Sequence, residues 1–557
     1  MAVKSYKIVA DFETTTDPND LPVRVWAVCA VDIDTLETVH LGNSIDDFFT
    51  WLSNKNTVCY FHNLKFDGEF ILSWLINHGY KFSLDKGDKT FNTLITDTGL
   101  FYSIEVIFKK QNKKYKKVVF YDSLKKLPFK VSVISKAFNL PDEKLTIDYD
   151  AYRPPGHELT EEEKHYIVND CKIVAEALQI QFSKGLKKMT NASDALGNFK
   201  DIMTKDKFER NFPQLPLALD QDIRRAYKGG YVYLNPLYRN YRGLKGITLD
   251  VNSLYPSVMY YELLPYGYPV YFEGKPEPDD NYPLYVVRIE CAFELKPGHL
   301  PTIQLKNNRA FIETEYLTSS DGDIVKMTLT SVDLALMLDH YDVYNLKYIN
   351  GYRFKGVKGL FKDYIDYWMN IKETTTGAMR QLAKLMLNSL YGKFATNPES
   401  YQKLPYMDDD GIIRYKMSDL EMRDPVYTVM GAFITAYARN KTIRSGQAVY
   451  DRFIYADTDS LHLIGYDIPE GLDVHPTRLG AWKNEGLFSD SKYIRAKTYM
   501  ETTIDGVTKV TCAGMPDNIK AMVTYDNFSP GSTFDGKLMP KRYPGGIILT
   551  PTTFTIK

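Results

Sequence analysis

Asp11 and Glu13 stand two apart in the string ADFETTT. Asp67 closes FHNLKFD, and Asp170 closes YIVND, four residues after Tyr166. Alternate residues of a strand share a face, so the first two carboxylates project together. Residues four apart share a helix face, which joins Tyr166 to Asp170. Carboxylates gathered at one place repel, and their pKa values rise unless cations neutralise them. Hard oxygen donors of this kind suit Mg2+, with Mn2+ as a substitute. Two such ions roughly 3.5–4 Å apart stabilise the attacking and leaving oxygens at a phosphodiester, with Tyr166 placed to orient the attacking water. Any one of these acids alone is most often a solvated side chain. The joint pattern is what points to chemistry.

A second constellation lies downstream. LDVNSLYPS ends a strand-like run at Asp250, and YADTDSLHL sets Asp457 and Asp459 at period two, on one strand face. Apolar residues flank both strings, where an unpaired carboxylate is costly, and a metal site accounts for them. Between them, RQLAKLMLNSLYGKF places Arg380, Lys384, Asn388 and Tyr391 on one helix face, leaving Leu382, Leu385, Met386 and Ser389 to pack. Such a face can grip a triphosphate and cover a base. Alone, it is better read as an amphipathic helix with solvated cations.

The elements that must position these groups alternate. Residues 5–13, 57–62 and 118–122 read as strands, and 66–79 and 160–184 as helices, giving an α/β domain over about 1–190. Residues 246–251 and 453–464 read as strands bracketing a long insertion, and 362–394 as helical. Pro265 to Pro283 and Pro297 to Pro301 mark loops and extended connections, and 543–557 reads as turns and short strands. A length of 557 residues suggests three or four domains, and 44% apolar with 25% charged residues allows large cores.

No stretch is long and apolar enough to span a bilayer, and Met1 to Ala10 lacks a signal pattern, so an intracellular protein is expected. Cys29, Cys59, Cys171, Cys291 and Cys512 are widely spaced and odd in number, against a disulfide framework or structural zinc. Net charge is −1, so any nucleic-acid contact must come from local basic surfaces. The 42 tyrosines suit base stacking or domain interfaces alike. The run KKQNKKYKK at 109–117 reads as a contact to the DNA backbone or to the acidic part of a partner, or as a solvated hairpin loop. His62 and His462 lack ligand-like company and read as satisfied core or supporting residues.

The first acid pattern, D-x-E, N-x-x-x-D, Y-x-x-x-D, resembles the DEDDy proofreading exonucleases. That resemblance gives Lys144 an auxiliary role, beside the alternative of a solvated lysine. It sets Thr14, Tyr60, His62, Asn63, Phe66, Phe70, Ser123 and Leu124 along a single-stranded 3′ end. The second set resembles three motifs of family B DNA polymerases, D-x-x-S-L-Y-P, K-x-x-x-N-S-x-Y-G and Y-x-D-T-D-S. The implied chemistry is nucleotidyl transfer with two Mg2+ ions held by Asp250 and Asp459, Asp457 assisting and Val251 beside them. Lys372, Arg380, Lys384 and Asn388 would meet the nucleotide, Tyr391 would stack on the base pair, and Tyr255 would exclude a 2′-OH. Lys497 and Tyr499 resemble the K-x-Y motif at the primer end. Tyr227, Gly229 and Gly230 resemble the template-binding Y-x-G-G, with Lys228 expected at a phosphate in place of Arg.

HNLKFDG, YDSLKKLPF, LAKLMLNSLYGKFA, LFKD, CAGM and the terminal TFTIK resemble the phi29-type phage DNA polymerases over essentially the whole chain. The resemblance implies an α/β multidomain fold. An RNase H-like DEDDy exonuclease (1–190) joins a right-hand polymerase: palm (191–260 and 427–512), fingers (360–395) and thumb (513–557). Two insertions occupy 261–359, for terminal-protein interaction, and 396–426. It further implies a monomer in the cytoplasm of an infected bacterial host. This monomer would act on primer-template DNA, single-stranded DNA and dNTPs, prime on a terminal protein and displace strands processively. Two departures stand out: Ala456 replaces a frequent Cys, and the segment from Tyr499 to Cys512 is short. The competing readings are a nuclease with a scaffold polymerase half, an accessory or packaging protein, and a reverse transcriptase or RNA polymerase.

Overall fold

The computed structural model describes residues 6–17, 21–111, 114–304 and 316–557. Ser5 and, from the basic run, Asn112 and Lys113 lie outside the described residues, as does the stretch 305–315 of the first expected insertion.

The first unit is a mixed eight-stranded sheet. Its strands are β1 (Tyr6–Thr14), β2 (Val25–Asp32), β3 (Thr38–Gly42), β4 (Thr57–Phe61), β5 (Lys81–Phe82), β6 (Thr90–Ile95), β7 (Phe101–Gln111) and β8 (Lys114–Asp122). The order is β3-β2-β1-β4-β8-β7-β6-β5, with β1, β4 and β8 parallel. Alternation along β1 sorts its side chains by face. Ile8, Ala10 and Phe12 join one core with helices α1 (Ile45–Leu52) and α2 (Leu64–Asn77). Val9, on the face of Asp11 and Glu13, joins another core with helices α3 (Val131–Phe138) and α4 (Glu161–Ser183). Thr160 and Glu163 form a reciprocal capping box that starts α4 where the T-x-x-E string places it. The five cysteines are free and buried.

The second unit is a seven-stranded antiparallel sheet. From edge to edge it runs Thr508–Cys512, Thr498–Thr503, Trp482–Arg495, Gly246–Val251, Ser460–Ile464, Phe453–Asp457 and Val232–Leu234. The expected strand 453–464 is thus a hairpin of two strands, turning at Thr458 and Asp459. The short segment after Tyr499 closes as a hairpin as well, with Gly506 at positive φ in its turn. Helix Thr428–Ala448 lies behind the sheet with 14 of its 21 residues buried, which explains why it shows no amphipathic signature.

The expected helical stretch 362–394 is two helices, Lys362–Thr374 and Gly377–Phe394. Gly377, at φ +56°, turns the chain between them. Strands Leu264–Glu273, Tyr341–Val357, Leu284–Leu295 and Val325–Thr330 form, in that order, a four-stranded sheet with helix Ser331–His340 on it. Its edge strand Leu264–Glu273 carries Pro265 and Pro269 inside the stretch expected to be loop, and an edge is where a strand tolerates proline. Residues 533–555 are one long hairpin, Thr533–Tyr543 and Gly546–Thr555, rather than turns and short strands. No helix among the described residues is long and apolar enough to cross a membrane.

Two candidate active sites

The face of β1 opposite α1 and α2 carries the first site. Asp11 and Glu13 project there beside Cys29 and Ala27 of β2. Asp67 arrives from the first turn of α2, whose free N–H groups at Asn63 and Leu64 are taken by the Asp122 carboxylate at the end of β8. Tyr166 and Asp170 come from α4. Lys144 Nζ donates to Tyr166 OH at 3.2 Å and is ion-paired with Asp170, and Tyr149 OH lies 2.7 Å from Tyr166 OH. All six expected residues therefore meet.

Water still reaches the edges of Asp11 and Glu13, but the surrounding protein strips most of it away. Burial, then the charge of Asp170, pushes Asp11 up to about 7. Burial, then Asp11 and Asp170, pushes Glu13 up to about 8. Asp67 is raised by burial and Asp11, and Asp170 by burial against the opposing pull of Lys144. Four acids with raised pKa values thus form a cluster in which, among the described residues, Lys144 is the one cation paired with any of them.

The second site sits at the strand ends of the antiparallel sheet. Asp250 and Asp457 both pair in register with Ser460. Asp459 occupies the turn, where its own N–H bonds Asp457 O at 2.7 Å and its carbonyl accepts from Val251 N at 2.8 Å. The period-two expectation put Asp457 and Asp459 on one strand face. The turn, with Thr458 at φ +60°, brings Asp459 beside Asp250 instead. Burial, then Asp459, pushes Asp250 up to about 7, and burial, then Asp457, raises Asp459.

A cavity of about 460 Å3 opens here, a size suited to a small-molecule ligand. Asp250, Val251 and Asp459 form its acidic end, Lys372 and Lys384 its basic wall, and Tyr255, Asn388 and Tyr391 also line it. The Tyr255 and Tyr391 rings stack at 4.0 Å. Lys372 donates to Ser253 Oγ at 2.9 Å, and burial, then Lys384 and Arg380, holds its pKa down. Arg380 lies outside the lining and bonds the Lys372 carbonyl at 2.6 Å. Asp457 also lies outside it. Lys497 Nζ holds both its oxygens, at 2.7 and 3.0 Å, and Tyr455 OH donates to one of them at 3.2 Å.

The family model for DNA polymerase type B, organellar and viral, matches residues 50–475. The DNA polymerase of Bacillus phage Nf is 49% identical over 566 positions, covering 98% of this chain and 99% of the relative. That of Bacillus phage phi29 is 48% identical, covering 98% of each chain. The solved phi29 DNA polymerase bound to primer-template DNA and incoming nucleotides matches with a TM-score of 0.93 and 48% identity, over 99% of this chain and all of that one. The chain belongs to the phi29-type branch of the family B DNA polymerases.

DNA polymerases use divalent metal ions. Among the described residues no three His, Cys, Asp or Glu side chains form a ready-made metal group. The acids nevertheless fit one. Asp67 Oδ1 and Asp170 Oδ1 are buried without a hydrogen-bond partner, and a lysine ammonium lies against one acid of each site, Lys144 at Asp170 and Lys497 at Asp457. The first site thus holds acid oxygens without a partner, and at the second, burial and mutual repulsion disfavour the charged forms of Asp250 and Asp459.

Several expected DNA contacts are placed away from any open surface in this polymerase. Ser123 is fully buried, bonding Phe61 O, and His62 is satisfied by Ser123 Oγ and Phe129 O at 2.8 and 2.7 Å. Tyr60 is buried against Tyr121 and Phe182, and Phe70 against Phe66. Asn63, Gly229 and Lys497 are exposed, and Thr14, Phe66, Leu124, Tyr227, Gly230 and Tyr499 are partly so. Lys228, expected at a phosphate, is buried near Asp333, and burial lowers its pKa to about 8. Gly230 approaches closely, but to protein: a Cβ there would meet Thr458 Oγ1 at 2.6 Å.

The sequence reading missed Tyr149, Tyr455, Asp122 and Glu501, which holds His462 and Tyr493 beneath the second site. Asp122, at a strand end before a turn, carries a local signal, and Tyr455 is the tyrosine of the Y-x-D-T-D-S string.

Proposed function

We propose that this polymerase is a replicative enzyme that elongates primers by nucleotidyl transfer at Asp250 and Asp459 and removes 3′-terminal nucleotides at Asp11, Glu13, Asp67 and Asp170. The observation carrying this reading is the presence of two separate acid centres, each with its own lysine, on two different sheets. The proposed division is an exonuclease over 1–190, palm over 191–260 and 427–512, fingers over 360–395, thumb over 513–557, and insertions at 261–359 and 396–426.

Two Mg2+ ions at each centre would supply charge neutralisation at the reacting phosphate. In elongation, Lys384 and Lys372 neutralise the triphosphate, Tyr391 covers the base, and Tyr255 lies under the sugar, where its ring leaves no room for a 2′-OH. Lys497 releases Asp457 and turns to the primer end. In hydrolysis, Tyr166 stays a neutral phenol, because burial and the nearby acids raise its pKa, and so donates one hydrogen bond to the attacking water.

Priming on a terminal protein, strand displacement, a monomeric state and action in the cytoplasm of an infected bacterium are proposed from the relatives' family. The test separates the centres. On a singly primed circular template with Mg2+, Asp459→Ala abolishes dNTP incorporation and keeps nucleolysis, while Asp11→Ala does the reverse. Products many times the circle's length support strand displacement. Products ending at one circle remove it. Primer shortening alone sinks the polymerase reading of the second site.

A further inference from the structure

Residues 143–159 run past the first acid cluster without helix or strand. Backbone groups outside a ladder still need partners, and side chains supply them. Asn169 donates to Glu143 O at 2.6 Å, Thr16 to Tyr149 O at 2.9 Å, and Asn43 to His157 O at 3.0 Å. The densest knot is at Arg153, whose side chain is 6% exposed. Its Nη1 donates to Ala151 O and its Nη2 to Asp148 O, both at 2.9 Å, and its Nε donates to Glu163 Oε1 at 2.7 Å. The guanidinium lies 4.1 Å above the Trp26 ring. The other Glu163 oxygen accepts from Thr160 N at 3.0 Å and faces His157 Nε2 at 2.8 Å.

Glu163 lies in the first turn of α4, one turn before Tyr166 and two before Asp170. Arg153 therefore ties the segment that carries Lys144 and Tyr149 to the helix that carries Tyr166 and Asp170. We propose that Arg153 is a positioning residue for phosphodiester cleavage, setting the Tyr149–Tyr166 hydrogen bond through Glu163. The proposal rests on reading the acid cluster as an exonuclease centre. It requires the planar fork of arginine: three donors pointing three ways at fixed angles, which a lysine point charge does not reproduce.

The test is single-turnover degradation of a single-stranded oligonucleotide by the full chain. Arg153→Lys and Arg153→Ala lower the cleavage rate at saturating oligonucleotide by about tenfold, because misplaced groups lose orientation. They leave the half-saturating oligonucleotide concentration and the rate of dNTP incorporation unchanged. Tyr149→Phe lowers the rate too, and adding Arg153→Ala to it costs little more, because both act through one hydrogen bond. Wild-type cleavage by Arg153→Ala, or losses that multiply in the double variant, overturns the proposal. So does a fall in incorporation that matches the fall in cleavage in Arg153→Lys. Should Arg153→Ala not fold, Arg153→Lys carries the test. Degradation that survives Asp11→Ala sinks the exonuclease reading instead, so the two failures stay distinct.

Discussion

Glu69 and Arg542, 473 residues apart, are joined by two N–H···O bonds of 2.7 and 3.0 Å. The Arg542 guanidinium also lies 4.2 Å from the Tyr415 ring, whose hydroxyl is 3.5 Å from both Glu69 oxygens. Helix α2, the hairpin of strands Lys403–Met407 and Ile413–Met417, and the C-terminal hairpin thus meet at one bidentate pair. Beyond it, Ile547 at the tip of the C-terminal hairpin is buried in the core of the first unit, and its carbonyl accepts from Val23 N at 2.8 Å.

Cutting this pair should release the hairpin tip. Glu69 is nearly buried and Arg542 about one-third exposed, so removing either partner costs about 1–3 kcal/mol, below the fully buried case. Arg542→Ala is expected to speed hydrogen exchange at the Val23 amide by about 5- to 150-fold, the Boltzmann equivalent of that energy. Glu69→Arg with Arg542→Glu restores part of the protection. Unchanged exchange at Val23 would show that apolar seating of Ile547 alone holds the tip.

Gly229 and Gly230 should differ sharply. A Cβ at Gly229 meets open space, whereas one at Gly230 presses on Thr458 Oγ1 and Cγ2 at 2.6 and 2.8 Å. Thr458 already sits at positive φ, unfavourable for a β-branched residue, in the turn that sets Asp459 beside Asp250. Gly230→Ala is expected to lower dNTP incorporation about tenfold, an effect of about 1.4 kcal/mol. Gly229→Ala stays within twofold, and both keep single-strand degradation. Equal losses in the two variants would mean that the glycines serve DNA directly.

What could be read in advance was local. Asp11 with Glu13, and Tyr166 with Asp170, follow from strand or helix periodicity within a few residues. Asp459 was misplaced because a two-residue turn between apolar strands looks like a continuing strand until Thr458 adopts its positive φ. Lys228 reads as a surface cation, yet the chain buries it beside Asp333, 105 residues on. The Glu69–Arg542 pair joins segments with no shared pattern, and the 143–159 segment has no period for a sequence to display.

The Glu163 anchor predicts a pH signature. Burial would raise this carboxyl, but the Thr160 N–H, His157 and Arg153 outweigh burial and hold it at about 2 against an ordinary 4.5. A carboxyl lowered on folding adds stability that is complete above pH 4.5 and is lost as pH falls toward 2. The melting-temperature gap between the wild type and Glu163→Gln should be constant from pH 7 to about 5 and shrink below 4.5. A gap independent of pH down to 3.5 would mean that the contact is steric rather than ionic.

Lys497 and a divalent cation compete for Asp457. Lys497 Nζ contacts both Asp457 oxygens, so a cation that uses this carboxylate must first displace a full positive charge. Lys497→Ala should therefore bind Mn2+ more tightly in the absence of DNA, by up to about fivefold for a half-exposed lysine, and, on the proposed role of Lys497 at the primer end, extend primers more slowly. Calorimetric titration in an Asp11→Ala background, which weakens the other site, isolates the effect. Tighter binding with slower extension fits a lysine that guards Asp457 and then moves to DNA. Weaker binding would show instead that Lys497 holds Asp457 in the geometry the ion needs.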